Sequence, residues 1–141
     1  MGRVLFAVVL SLISLVPASA EVRIRASAGG YVEDYRNLFA RVRQSGERVV
    51  IDGPCLSACT LVLSTIPRKR ICVTRRAVLG FHAPRMVDRQ TGRSYPARKE
   101  TRAVTAAYPA RVRAWIKRRG GLGRKMILLR GRELAALYRR C

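Results

Sequence analysis

The order of short apolar segments along the chain constrains its fold more than any other feature of the sequence. Glu21 to Arg25 alternates apolar and charged residues, and Arg48 to Asp52 is a β-branched segment of strand length. Between them, Val32 to Val42 carries apolar residues at helical spacing. A helix that connects two strands in this way implies that the strands run parallel. The sequence therefore predicts an α/β fold built from β-α-β units.

The same alternation continues through the middle of the chain. An apolar segment that begins at Ser57 and stops before Pro67 is expected to be a buried helix. Strands are expected at Ile71 to Thr74 and at Ala77 to Phe81. These elements would add to one mainly parallel sheet.

The C-terminal part has a different pattern and is expected to be helical. Met86 to Pro96 is polar and is expected to be a loop. A long basic helix is expected over Arg98 to Arg118, bent or broken at Pro109, and a last helix over Lys125 to Tyr138. No linker or repeat interrupts the chain, so residues 21–141 are expected to form a single domain.

The first twenty residues have the pattern of a secretory signal peptide. Arg3 gives an early charge, Val4 to Val16 is almost wholly apolar, and Ala18-Ser19-Ala20 ends the segment in small residues. The apolar run is shorter than the roughly 20 residues that a membrane helix needs. An uncleaved anchor is the alternative. We expect residues 1–20 to be removed and the rest to be exported across the inner membrane into the periplasm.

Export makes disulfides the expected state of the cysteines. The chain has four of them, at Cys55, Cys59, Cys72 and Cys141. They can form two bridges in three different pairings, and the sequence leaves the choice open. They lack paired CxxC spacing and a nearby histidine, so no zinc site is expected. No nucleotide loop or other cofactor motif is present, so no cofactor is expected.

The positive charge of the chain limits its partners. The formal net charge is +21, and only one basic residue, Arg3, lies in the predicted signal peptide. In a cytosolic protein this charge would indicate nucleic acid, but an exported protein meets anionic lipids and polysaccharides instead. An anionic envelope surface is therefore the expected charged partner and nucleic acid is not. An arginine-rich composition typical of a GC-rich genome explains the same charge without any partner.

Three segments that follow predicted strands carry residue types suited to acyl transfer. Ser57 stands at a strand-to-helix junction after Gly53-Pro54, where helical N–H groups can face an oxyanion. His82, the only histidine, is the one imidazole that could act as its base. Gly29-Gly30 allows a backbone N–H to approach a substrate closely. A helix cap, a structural histidine and a plain turn are the alternatives, but parallel strands would bring all three segments to one edge.

Together these segments resemble the ClpP proteolytic subunit, which has a crotonase-like fold. Ile24 to Val32 is similar to the strand and Gly-Gly oxyanion loop of that family, and Gly53 to Cys59 to its Gly-x-x-x-Ser nucleophile turn. His82-Ala83-Pro84 matches its histidine segment in context and in distance from the serine. The resemblance covers residues 22 to 84. It implies an exported member with a ClpP/crotonase-like fold that is shortened at the N-terminus.

The resemblance also implies a role for each site residue. Ser57 would be the acyl-forming nucleophile, His82 its base, and the N–H groups of Gly30 and Ala58 the oxyanion hole. The serine peptidases of the family add an acid that orients the histidine. The corresponding region of this chain has none, and Glu133 is the nearest candidate.

Two functions remain open at this point. One is an exported serine hydrolase, a peptidase that cleaves short or unfolded peptides through an acyl-enzyme on Ser57. The sequence leaves open whether this enzyme forms a homo-oligomer. The other is a catalytically inactive, disulfide-stapled cationic module that binds an anionic envelope component. The joint pattern of Gly-Gly, Ser and His favours the first. The missing acid, which can cost about 10⁴ in rate, and the large charge favour the second.

Overall fold

The computed structural model describes residues 20–141, so the predicted signal peptide lies outside the described residues except for Ala20. The strands in chain order are β1 (Glu21–Ile24), β2 (Arg48–Ile51), β3 (Pro54–Leu56), β4 (Ile71–Val73), β5 (Val78–Phe81), β6 (Arg85–Val87), β7 (Ser94–Pro96) and β8 (Ile127–Arg130). The α-helices are α1 (Val32–Ser45), α2 (Val62–Thr65), α3 (Arg98–Ala107), α4 (Ala110–Arg118) and α5 (Gly131–Leu137). Two 3₁₀ helices occupy Ser57–Leu61 and Arg68–Arg70.

The first sheet contains the β-α-β units that the sequence predicts. Its strands β1, β2 and β4 are all parallel and lie in the order β1-β2-β4. Helix α1 connects β1 to β2 and ends at Ser45, and it is capped by Gly46, whose φ of 78° suits glycine. The last three residues of β2 and all of β4 are buried, as expected of strands with covered faces. The mixed α/β class and the parallel pairing of these strands are therefore confirmed.

A second sheet contains β3, β5 and β8, which corrects the expectation of one sheet. Of the predicted strands only Ala77 to Phe81 lies in it, as β5, and β3 begins at Pro54, where the sequence predicted only a break. In it β3 and β5 are parallel, and β8 is antiparallel to β5. The chain reaches this sheet twice. After β1, Ser27 pairs with Cys55 of β3, and after β2 the chain continues directly into β3. At this crossing a Cβ on Gly53 would collide with the Arg25 carbonyl oxygen. Only glycine therefore allows the two chain segments to cross so closely.

Two expectations for the C-terminal half are wrong. The segment expected to be a loop contains the hairpin β6–β7, whose turn is closed by Asp88: its carboxylate accepts the N–H groups of Gln90 and Thr91. The expected last helix begins with β8 instead, because Leu129 is fully buried in the strand that pairs with β5. Helix α5 starts only at Gly131, where φ is 58°.

The long basic segment is broken at Pro109, as predicted, and the residues around the break pack into the hydrophobic core. Helix α3 ends at Ala107 and α4 begins at Ala110. Tyr108, at the break, packs its ring edge-on to Phe81 of β5, with centroids 5.4 Å apart. Trp115 of α4 contacts the same ring at 5.7 Å. These aromatic contacts hold both helices beside β5.

The cysteines pair as Cys55–Cys59 and Cys72–Cys141, a choice that the sequence left open. The second bridge fixes the end of the chain against β4, and the Cys141 N–H also donates to the Val73 carbonyl at 3.2 Å. Two disulfides are typical of a protein that folds in an oxidising compartment. None of the helices within residues 20–141 is long and apolar enough to cross a membrane.

Candidate active site

Ser57 occupies a backbone conformation that residues other than glycine rarely adopt. It is the first residue of the 3₁₀ helix that follows β3, and its φ is 55°, the only positive value for a non-glycine residue within the described range. This conformation costs roughly 1–2 kcal/mol for an L-residue, and such strain is common where a side chain has to be presented for chemistry. The predicted strand-to-helix junction is therefore present, although a 3₁₀ helix precedes α2 where one α-helix was expected.

His82 follows β5 directly and contacts this serine. Its Nε2 lies 2.7 Å from the Ser57 Oγ. The contact follows from the second sheet, because β3 and β5 are parallel neighbours with Leu56 opposite Gly80, and both strands end at the same edge. A separation of 2.7 Å is within the range in which an imidazole can take a hydroxyl proton. The structure thus brings together the two residues that the sequence singled out.

The glycine segment lies against the same turn. Gly29 has a φ of 86°, and a Cβ on it would lie 2.6 Å from the Ser57 Cβ and 3.0 Å from the Ala58 nitrogen. No hydrogen bond among residues 20–141 uses the Gly30 N–H. The Ala58 N–H is in the first turn of the 3₁₀ helix, where such groups lack a partner within the helix. Two backbone donors therefore lie near the serine.

Ser27 and Tyr35 position the glycine segment, which the sequence analysis missed. The two hydroxyl oxygens are 2.7 Å apart, and the Gly29 N–H donates to the Ser27 Oγ at 3.3 Å. Tyr35 belongs to α1, where its spacing suggested only a core residue. The helical pattern could indicate that Tyr35 faces inward, but it carries no information about the partner of the hydroxyl.

A second pair of hydroxyl groups, on Thr60 and Tyr108, supports the backbone of the serine. Thr60 donates from its Oγ1 to the Ser57 carbonyl at 2.7 Å. Because its proton is used there, the Tyr108 hydroxyl, 2.6 Å away, donates to Thr60. Burial raises the pKa of Tyr108 to about 12, so this phenol keeps its proton at neutral pH. The chain from Tyr108 through Thr60 to Ser57 fixes the strained turn.

Removing the hydroxyl of Thr60 is expected to destabilise the protein. Thr60→Val keeps the shape but leaves the buried Tyr108 hydroxyl without its acceptor, which should cost about 1–3 kcal/mol in the free energy of unfolding. Urea denaturation measures the cost. The matched control is Thr65→Val, because the Thr65 hydroxyl only bonds a carbonyl of its own helical segment. Equal stability of the two variants would contradict a supporting role for Thr60.

Glu133, the acid expected nearest to His82, is engaged elsewhere. Both of its carboxylate oxygens accept from Arg119 at 2.7 Å, and one also accepts the Trp115 indole N–H at 3.3 Å. Arg119 holds the pKa of this carboxyl below its usual range. Within the described residues, His82 has no side-chain hydrogen bond other than that to Ser57. The structure therefore does not bring Glu133 and His82 together.

The Cys55–Cys59 disulfide closes a covalent ring around the serine. Cys55 lies in β3 and Cys59 in the 3₁₀ helix, with Cα atoms 5.3 Å apart, and both are fully buried. Ser57 stands midway between them. The bridge consequently holds strand and helix at a fixed distance on either side of the strained residue, and it leaves the serine hydroxyl facing His82.

An open cleft of about 1070 Å³ adjoins the serine, large enough for a peptide segment. Its lining includes Ser57, Ala58, His82 and Gly30, together with residues of strand β6 and of helix α3. Within residues 20–141, no group of His, Cys, Asp or Glu is arranged to hold a metal ion. Beside the serine hydroxyl the cleft thus has an imidazole and the backbone of Gly30 and Ala58.

Comparisons with known proteins give no family for the chain. No protein-family model matches it, and no curated protein matches it significantly. The functional argument therefore depends on the site itself.

Proposed function

We propose that this protein is an exported serine hydrolase related to the ClpP-like peptidases, acting in the periplasm with Ser57 as nucleophile and His82 as base. The observation that carries the proposal is the 2.7 Å contact between His82 Nε2 and Ser57 Oγ at an open cleft. The strained backbone of Ser57 supports it, because a helix cap does not need a positive φ.

The chemistry runs through an acyl-enzyme. Ser57 Oγ attacks the scissile carbonyl while His82 Nε2 takes its proton, and the oxyanion accepts hydrogen bonds from the Gly30 and Ala58 N–H groups. His82 then gives the proton to the leaving amine, and the carbonyl–nitrogen bond breaks. Water, with His82 again as base, releases the acid and restores the serine. Without an orienting carboxylate the dyad is expected to be slower than a full triad.

The hairpin beside the cleft favours a peptide as substrate. Three successive residues of β6, Arg85 to Val87, line the cleft, and within the described chain β6 pairs only with β7. Its other edge therefore has backbone groups that can pair with an extended chain. Met86 and Val87 are 60% and 52% exposed, so apolar side chains also face an incoming ligand.

A second function is favoured by the engagement of Glu133 with Arg119. Because that acid does not contact His82, the same fold could act as an inactive cationic module that binds an anionic envelope component. The two functions differ in one property that can be measured directly. Only the hydrolase requires an activated serine.

Labelling with a fluorophosphonate tests for that serine. We expect the mature protein, produced in an oxidising compartment, to react with the probe, and mass spectrometry to find the adduct on Ser57. Ser57→Ala should abolish labelling. Ser64→Ala is the matched control, since the Ser64 hydroxyl bonds only a carbonyl of its own helical segment, and it should label like the wild type.

Circular dichroism establishes that each variant is folded before labelling is compared. A folded wild type that does not react would overturn the hydrolase and leave the binding module. An adduct on any residue other than Ser57 would overturn the assignment of the nucleophile.

A further inference from the structure

Part of the cleft lining carries positive charge without a carboxylate partner. We define the cationic rim as the four cleft-lining residues Arg85, Arg89, Arg98 and Lys99. None of the six ion pairs within residues 20–141 involves any of them. Glu100, the one carboxylate that lines the described cleft, is paired with Arg36 at 2.6 Å.

Apart from hydrogen bonds of Arg85 within the hairpin, contacts that stabilise the fold do not explain the rim. Arg98 and Lys99 occupy the first turn of α3, where the helix dipole disfavours positive charge, and both are exposed. Arg89 makes no side-chain hydrogen bond within the described residues. Arg85 donates to the Ser94 hydroxyl and carbonyl, which are neutral acceptors. Four like charges thus face one concave space, and an anionic ligand would relieve their repulsion.

The rim differs from the rest of this basic protein in its position. Its charges border a concave cleft with an apolar lining that includes Leu61 and Val104, and such a cleft focuses the electrostatic field. The same cleft contains Ser57 and His82. A ligand held by the rim therefore lies beside the reactive hydroxyl.

We propose that the cleft selects peptides with aspartate or glutamate side chains beside the bond that Ser57 attacks. Cleavage of such peptides by Ser57 rests on the proposed function. The preference of the cleft for binding acidic peptides can be measured without cleavage. The free edge of β6 can form hydrogen bonds with the peptide backbone, and the cationic rim can form ion pairs with the acidic side chains. Acidic peptides are thus distinguished from neutral peptides of the same length by charge complementarity alone.

A catalytically silent variant allows the binding preference to be measured. Mature Ser57→Ala protein with both disulfides formed is titrated into a rhodamine-labelled peptide whose central alanines are flanked by glutamates, and into its glutamine counterpart. Fluorescence anisotropy gives the two dissociation constants. We expect the glutamate peptide to bind about tenfold more tightly at low salt, and the preference to shrink as ionic strength rises.

Paired charge removals distinguish the rim from the surface as a whole. In the same background, Arg98→Gln with Lys99→Gln should reduce the preference to about twofold or less. The matched control, Arg111→Gln with Lys117→Gln, removes the same charges from exposed positions of α4 outside the cleft and should keep the preference. An equal loss in both double variants, or no preference at all, would overturn the proposal.

The fluorophosphonate result separates this proposal from the proposed function. A glutamate preference that depends on the rim, in a protein whose wild type does not label, would overturn the hydrolase and keep an acidic-peptide site. Labelling of Ser57 without any glutamate preference would keep the hydrolase and overturn the selection.

Discussion

His82→Ala is expected to lower the rate of fluorophosphonate labelling of Ser57 about a thousandfold. The imidazole is the one group within hydrogen-bond distance of the Ser57 Oγ in the described structure, and it lies 2.7 Å away. Without it the serine must react as a neutral hydroxyl, and a positioned general base typically contributes 10²–10⁴ in rate. The measurement is the pseudo-first-order rate constant of labelling at fixed probe concentration.

His82→Gln separates proton transfer from hydrogen bonding. A glutamine amide can bond the serine hydroxyl but cannot take its proton at neutral pH. We therefore expect this variant to label as slowly as His82→Ala. If glutamine instead restores labelling to near the wild-type rate, His82 positions the serine and is not its base.

Gly29→Ala is expected to have the largest effect on the shape of the site. A Cβ at this position would lie 2.6 Å from both the Leu56 carbonyl oxygen and the Ser57 Cβ, and the φ of 86° is itself unfavourable for alanine. Strain and overpacking together should cost about 3–5 kcal/mol in the free energy of unfolding. Because the clash bears on the serine itself, the labelling rate should also fall steeply.

Gly121→Ala is the matched control, because its φ of 84° is nearly the same but a Cβ there would have no neighbour within 4 Å. This variant should lose only about 1–2 kcal/mol in the free energy of unfolding, the cost of a positive φ for alanine. It should label at the wild-type rate. Urea denaturation and labelling kinetics are compared for both variants. If Gly29→Ala behaves like Gly121→Ala, the close approach of the glycine segment to Ser57 is not needed.

The central part of the site could be predicted because its signals are local. Gly29 and His82 follow strands whose β-branched or apolar residues are readable from a few neighbours, and Ser57 follows the Gly53-Pro54 break. The short strand β3, which directly precedes Ser57, was not predicted. The prediction did not need the correct number of sheets. Parallel neighbours β3 and β5 end at one edge whether they belong to the first sheet or to a second.

Other features depend on partners that are distant in the sequence. Gly53 and the proline after it mark a break, but the change of sheet depends on how closely the backbone passes Arg25. Tyr108 supports Ser57 through a hydrogen bond to Thr60, and these two residues are 48 positions apart in the sequence. Leu128 and Leu129 fit a helix and a strand equally well, and pairing with β5 decides between them.

The two disulfides imply an order of bond formation during folding in an oxidising environment. Cys55 and Cys59 are four residues apart, so they can meet early, whereas Cys72 is separated from Cys141 by 69 positions. Short loops close with less loss of chain entropy than long ones. The ring around the serine is therefore expected to form first, while Cys72 remains a thiol. During that interval Cys72 is the cysteine most open to pairing with another molecule, and a mixed disulfide at Cys72 is the misfolded product to look for when the protein is made.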